Sequence, residues 1–269
     1  MKKDYRSKPV KKIVVIGESN AFGMCACDPR NEWVQTVANL IRDFQDEPLT
    51  VLNNAVPANV ISQNSPGYAT LPEHGKPSAL DRYYRDLIAY KPDLAIIAYG
   101  LNDSRCGYPA EDFLGDLEYI VADVTNRTKA LVVLTSPYWN TQYDEMLWNN
   151  LETKPEWATG DYSTFAVTGR NLVFSYVTGI QKIAEKYGCL FVDLFAPTEG
   201  CLWLLHDDQC HYSDVGHRVL GQLVFNTIAC NCSWIGQKSR RIAREGDYDT
   251  SNTGGTNGMN RMIRGWLGR

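Results

Sequence analysis

A chain of 269 residues, 44% hydrophobic and 22% charged, is long enough to bury one sizeable core in a single large domain. Its formal net charge of −4 gives no electrostatic reason to expect nucleic acid as a partner. No run of about 18 apolar residues offers a membrane span, and the basic start Met1-Lys2-Lys3 leads into no signal-type apolar segment, so the chain is expected in the cytoplasm.

Taken in order, Ile13 to Ile16 is a short apolar, mostly β-branched run that reads as a buried strand stopped by Gly17. Ser19 follows at once, and Gly23 closes a short turn. Ser19 is then either a turn or cap residue or a nucleophile delivered to the carboxyl edge of a sheet, where open α/β sheets bind ligands. Asn31 reads as the cap of a helix carrying Trp33, Val34, Val37, Leu40, Ile41 and Phe44 at helical spacing. Leu49 to Leu52 reads as a second strand, running into the polar loop Asn53-Asn54-Ala55-Val56-Pro57-Ala58-Asn59. Residues 62–77 are rich in Pro, Gly and Ser and read as an excursion. A helix is expected over Ala79 to Tyr90, ended by Lys91-Pro92-Asp93. The apolar run Leu94 to Tyr99 is a third strand covered on both faces. It ends at Gly100-Leu101-Asn102-Asp103. Helix Ala110 to Val124, strand Ala130 to Leu134, an irregular aromatic stretch over 136–168, helix Asn171 to Tyr187 and strand Leu190 to Leu194 follow. Ser213 caps a last core helix reaching Ile228. Five strands alternating with helices argue a parallel sheet covered by helices on both faces.

The domain is expected to span residues 1–232, with 233–269 as a tail. There the composition turns basic, then Gly/Asn/Thr-rich, and ends on Met259, Met262, Ile263, Trp266 and Leu267 at helical spacing. That short amphipathic helix packs on its own domain, joins a second copy as a homo-oligomer, or lies on a membrane surface. Eight cysteines are present, and the pairs Cys25/Cys27 and Cys230/Cys232 lack the C-x-x-C spacing of zinc or dithiol sites. They read as mostly buried free thiols, although Cys201 and Cys210 bracket one loop. Neither a metal nor a cofactor is expected.

A serine nucleophile needs a base within hydrogen-bond reach, and the base needs an orienting partner. Of the four histidines, His74 lies in the 62–77 excursion. His206, His211 and His217 fall in or just after the loop between the fifth strand and the last helix, at the same sheet edge as Ser19. Asp208 and His211 are three apart, so one tight turn presents both; His206 and Asp207 are the rival pair, and His217 inside the helix reads as structural. The developing oxyanion needs donors. Candidates are the Asn102 amide, a backbone N–H near Ala58, and the N–H of Ser19.

These stretches together resemble the SGNH hydrolases, the GDSL-type esterases and lipases, over roughly residues 12–230. Gly17-Glu18-Ser19 with Gly23 looks like the nucleophile motif. Gly100-Leu101-Asn102-Asp103 looks like the G-x-N-D motif. Asp208-Gln209-Cys210-His211 looks like the D-x-x-H motif. The resemblance implies a flavodoxin-like three-layer α/β/α sandwich with sheet order 2-1-3-4-5. It implies Ser19 as nucleophile, His211 as general base, Asp208 as its orienter, and an oxyanion hole from Ser19, Asn102 and a glycine N–H. Glu18 stands where the family has aspartate, and Ala58 stands where it has that glycine, keeping the N–H but ill-suited to a positive φ. The resemblance does not choose among carbohydrate deacetylation, short-chain ester cleavage and thioester cleavage. The chain has no long uninterrupted apolar stretch to form a groove, which favours a short acyl ester, an O-acetyl on a carbohydrate among them. A thioesterase, a lysophospholipase, an acyltransferase and a non-catalytic binder on the same fold remain alternatives. Tyr138, Trp139, Tyr143, Trp148, Trp157, Tyr162 and Phe165 either stack on sugar rings and line an acyl pocket or pack the stretch onto the core.

Overall fold

The computed structural model describes residues 2–70, 72–151 and 170–237. Five strands form one all-parallel sheet in the order β2-β1-β3-β4-β5. They are β1 (Lys12–Gly17), β2 (Thr50–Asn53), β3 (Leu94–Ala98), β4 (Leu131–Thr135) and β5 (Leu190–Val192). The longer helices are α2 (Trp33–Phe44), α3 (Ala79–Asp86), α5 (Ala110–Arg127), α7 (Arg170–Tyr187) and α8 (Asp214–Asn231). The expected sandwich and its strand order are therefore present.

Successive residues of a strand point to opposite faces, and β1 shows the consequence. Ile13 and Val15 join the core formed with α2 and α8. Val14 and Ile16 join the core formed with α3, α5 and much of α7. Both faces being covered explains why β1 and β3 are continuously apolar rather than alternating.

Several boundaries differ from the sequence reading. Asn31 does not cap α2. Asp28 and Pro29 open a tight 3-10 turn that ends at Asn31, Glu32 takes the cap position, and the Asn31 amide instead donates to Asp214 Oδ2 at the start of α8, 2.9 Å away. The helix expected over 79–90 stops at Asp86, and Leu87 breaks into a 3-10 turn over Ile88–Tyr90. That break turns Leu87 and Ile88 both into the core, and Lys91 closes the 3-10 turn at the left-handed φ 49° with its N–H on the Ile88 carbonyl. A helix start is expected at Ser19 and is present as the short α1 (Ser19–Phe22), whereas α4 (Leu101–Arg105) and α6 (Glu145–Asn150) are not expected from the sequence. All three are too short for an apolar period to register.

Packing runs beyond residue 232. A 3-10 turn over Ser233–Gly236 buries Trp234 and Ile235, and Trp234 Nε1 donates to Gln45 Oε1 at 3.2 Å. The amphipathic segment around Met259 to Leu267 lies outside the described residues, as do Trp157, Tyr162 and Phe165. All eight cysteines are free thiols, but only Cys189, Cys210 and Cys232 are buried; Cys27 and Cys230 are exposed. Among the described residues, no helix is long and apolar enough to cross a membrane.

Candidate active site

β1 ends in register with β3, Gly17 opposite Ala98. A Cβ on Gly17 would sit 2.7 Å from both the Ala98 carbonyl oxygen and Ala21 Cβ, so only glycine allows α1 to start this close to the sheet. Ser19 opens α1 and Asn102 lies in the first turn of α4, past the ends of two neighbouring strands. The sheet order reverses between β1 and β3, the switch point where such sheets bind ligands.

Glu18, between Gly17 and Ser19, ties these two strand ends together. Its Oε1 accepts the N–H of Gly100 (2.5 Å) and Leu101 (2.9 Å), and its Oε2 accepts the N–H of Asn102 (2.6 Å). A helix start leaves such N–H groups without partners inside the helix, and a carboxylate is the strongest acceptor for them. Gly100 turns the chain at φ 116°, which presents these donors to Glu18. Glu18 is fully buried. Burial first, and then the charge of Asp103, push its carboxyl above the usual range, against the pull of the three N–H groups; Asp103, also buried, is pushed up as well. Sequence reasoning assigned Glu18 no part in the site. Its signal was the acidic residue immediately before Ser19, legible only once α4 was known to start opposite it.

The Asn102 side chain is held from two sides. Its Nδ2 donates to the Asn59 carbonyl at 2.9 Å, and its Oδ1 accepts from Arg105 Nη1 at 3.3 Å. An amide nitrogen has two hydrogens, so this arrangement commits one of them. The loop bearing Ala58 is fixed by the neighbouring Asn59. The Asn59 amide donates to the carbonyls of Gly75 and Pro77 and accepts from Tyr99 Oη (2.7 Å) and Arg82 Nε (3.2 Å). Arg82 is buried and also donates to the Asn54 carbonyl and to Asp86, closing the loop onto α3. Ala58 itself sits at φ 60°, the left-handed region expected of the missing glycine.

The histidine loop is a narrow arm. Leu205 and Tyr212 pair across its base, and the His206 N–H donates to the His211 carbonyl at 2.8 Å. Gln209 turns at φ 60° inside it. Asp208 Oδ1 accepts the N–H of Cys210 (3.0 Å) and His211 (2.8 Å), so the carboxylate winds the turn that presents it. Its Oδ2 lies 2.5 Å from His211 Nδ1, and His211 Nε2 lies 2.8 Å from Ser19 Oγ. A proton on Nδ1 facing the carboxylate leaves Nε2 to accept from the serine hydroxyl. Burial pushes the Asp208 carboxyl up, but the His211 hydrogen bond and charge and the two N–H groups outweigh it and hold it well below the usual carboxylate range. Cys25, at φ 68°, directs its thiol to Asp208 Oδ2 at 3.5 Å. Burial and then Asp208 push that thiol up to about 12.

The other histidines take no part in the line from Asp208 Oδ2 to Ser19 Oγ. His206, like Asp207, is exposed on the arm, and His74 is exposed in the excursion. His217 is buried in α8 and donates from Nε2 to the Met24 carbonyl at 2.9 Å, and its burial pushes the imidazole below its usual range. The described aromatic residues of the stretch after β4 pack inward. Tyr138, Trp139, Tyr143 and Trp148 are all buried, and they brace the arm: Tyr138 Oη donates to the Cys210 carbonyl (2.9 Å) and Tyr212 Oη to the Trp139 carbonyl (3.0 Å). Thr141 Oγ1 adds a bond to the Gln209 carbonyl at 3.0 Å.

Two outcomes follow from this geometry. Glu18→Gln places an N–H₂ among three N–H donors. It is expected to cost about 2 kcal/mol, lowering Tm by roughly 4–8 °C in calorimetry; an unchanged Tm would show that the carboxylate is not what joins the two strand ends. Ala58→Gly is expected to raise stability by about 1 kcal/mol in urea titration, because glycine meets no Cβ clash at positive φ.

The chain matches the model of the GDSL-like lipase/acylhydrolase family over residues 15–219. Solved structures share the fold at low identity. A catalytic mutant of Axe2, an acetylxylan esterase from Geobacillus stearothermophilus, has a TM-score of 0.59 at 20% identity, covering 83% of this chain and 95% of that one. A lipase/acylhydrolase from Enterococcus faecalis has a TM-score of 0.58 at 20% identity, covering 81% of this chain and 95% of that one. A two-domain esterase (CEX) active on acetylated mannans has a TM-score of 0.56 at 17% identity, covering 81% of this chain and 48% of that one. No curated protein sequence matches. The family match runs from the middle of β1 into α8, taking in all five strands, and the chain belongs to the GDSL-like lipase/acylhydrolase family of ester-hydrolysing enzymes.

Proposed function

We propose that the enzyme removes a short acyl group, an O-acetyl on a carbohydrate, through an acyl-enzyme on Ser19. The observation that carries this reading is the unbroken line from Asp208 Oδ2 to His211 Nδ1 (2.5 Å) and from His211 Nε2 to Ser19 Oγ (2.8 Å). In it His211 takes the Ser19 proton as Oγ attacks the ester carbonyl. The imidazolium so formed is stabilised by Asp208, which stays ionised because its carboxyl is held low. The tetrahedral oxyanion is received by the Ser19 N–H, the second Asn102 amide hydrogen and the Ala58 N–H. Collapse passes the proton from His211 to the leaving sugar hydroxyl and leaves Ser19 acylated. Water then repeats the sequence, giving up a proton to His211 and releasing the carboxylic acid and the free serine.

The carbohydrate assignment draws on two neighbours of the same fold, described as an acetylxylan esterase and an esterase active on acetylated mannans. A feature of this chain points the same way. Trp203 is 74% exposed in a 3-10 turn immediately before the arm that bears Asp208 and His211. An exposed indole at that position is a flat apolar face suited to stacking on a sugar ring.

Wild-type protein is expected to turn over p-nitrophenyl acetate and to be labelled at Ser19 by a serine-directed phosphonate. Ser19→Ala and His211→Ala should each lower kcat by about a thousandfold or more; activity surviving in Ser19→Ala would break the assignment. Trp203→Ala should leave p-nitrophenyl acetate kinetics unchanged while raising KM for an acetylated xylo-oligosaccharide by roughly three- to tenfold. Equal effects on both substrates would remove the sugar platform from the reading.

A further inference from the structure

One group of metal-ligating side chains overlaps the active-site line. Cys25, His206 and Asp208 each bring a ligand atom, a thiol sulfur, an imidazole nitrogen and a carboxylate oxygen, within 4.8 Å of one another. They come from different segments: Cys25 from the loop after α1, His206 and Asp208 from the histidine arm. Cys25 Sγ already rests 3.5 Å from Asp208 Oδ2, a separation a tetrahedral cation accepts between two of its ligands. The His206 side chain is exposed, and its backbone is anchored independently of it: its N–H bonds the His211 carbonyl and its carbonyl accepts from Gln209. The esterase line uses neither Cys25 nor His206 directly.

We propose that Cys25, His206 and Asp208 form an inhibitory site for a borderline-soft divalent cation, zinc in the first instance, that switches the esterase off reversibly. The mixed sulfur, nitrogen and oxygen donor set selects this class over the hard cations magnesium and calcium, which take oxygen ligands. Three protein ligands leave the fourth tetrahedral position to water. On binding, the sulfur–metal bond forms as the Cys25 thiol gives its proton to solvent; nothing is oxidised or reduced. Asp208 is the shared element. A carboxylate coordinating a dication no longer offers its charge to His211, so the imidazole loses both its orienting partner and the counter-charge for its protonated form. The site therefore couples cation level to ester turnover through one side chain.

The blocking effect rests on the Ser19–His211–Asp208 reading, whereas the metal site does not, and the test separates them. Reduced protein, freed of metal with a chelator, is titrated with Co2+ as a spectroscopic stand-in for zinc. A thiolate-to-cobalt charge-transfer band in the near ultraviolet is expected for wild type and for Ser19→Ala, and is expected to vanish in Cys25→Ser. In parallel, zinc should inhibit p-nitrophenyl acetate turnover and slow phosphonate labelling of Ser19, and excess EDTA should reverse both. His206→Ala, which alters an exposed side chain outside the proposed triad, should keep its metal-free turnover. Its zinc sensitivity, like that of Cys25→Ser, should fall about tenfold or more. A wild-type protein without the band, a band that persists in Cys25→Ser, or zinc inhibition equal in wild type and both variants would overturn the proposal. Loss of esterase activity in every preparation would count against the triad while leaving the cobalt spectrum to decide the site.

Discussion

The active edge of this molecule depends on one buried carboxylate. β1 and β3 are neighbours in the sheet, but pairing ends at Gly17 and Ala98, and the residues that matter chemically lie beyond that point. Glu18 extends the connection by side chain where the backbone ladder stops, accepting the N–H groups of Gly100, Leu101 and Asn102. Ser19 is the next residue after the acceptor and Asn102 is itself a donor, so the distance between them is set within one residue of each. Burying a carboxylate is expensive unless its oxygens are satisfied. Three N–H groups at a helix start provide that satisfaction, and the exchange leaves neither strand end free to move alone.

A second layer of bonds extends outward from the same place. Asn102 holds the Asn59 carbonyl, Asp103 accepts the Ile61 N–H, and Arg82 with Tyr99 grips the Asn59 side chain. The loop bearing Ala58 is fastened from several directions, which is what keeps a non-glycine residue at φ 60°. Replacing glycine by alanine here keeps the N–H and adds strain that the surrounding bonds contain.

The histidine arm is organised differently. It is not part of the sheet, and its shape comes from Asp208 winding the turn to His211 and from the inward-facing aromatic residues that hold its carbonyls. Asp208 carries several demands at once, from two backbone N–H groups, from His211 and from the Cys25 thiol. A residue so heavily used is the natural point at which a bound cation would act on the rest.

Much of the molecule was legible in the chain alone. The apolar runs at Ile13 and Leu94 are long enough, and β-branched enough, to declare buried strands, and their alternation with helices dictates a parallel sheet. The strand ends then place Ser19, Asn102 and the Asp208–His211 loop on one edge, because every parallel strand points the same way. What the sequence could not contain was the pairing across that edge. Which acidic residue meets α4, which of the aromatic rings turn inward, and that Cys25 reaches Asp208 across 183 positions are all contacts between distant segments, with no period or spacing to announce them. The five-residue helix α4 escaped for the same reason: its start is held by Glu18, not by an apolar face of its own. Local propensity and periodicity determined the elements and their order; the tertiary structure alone decided which side chains those elements bring into contact.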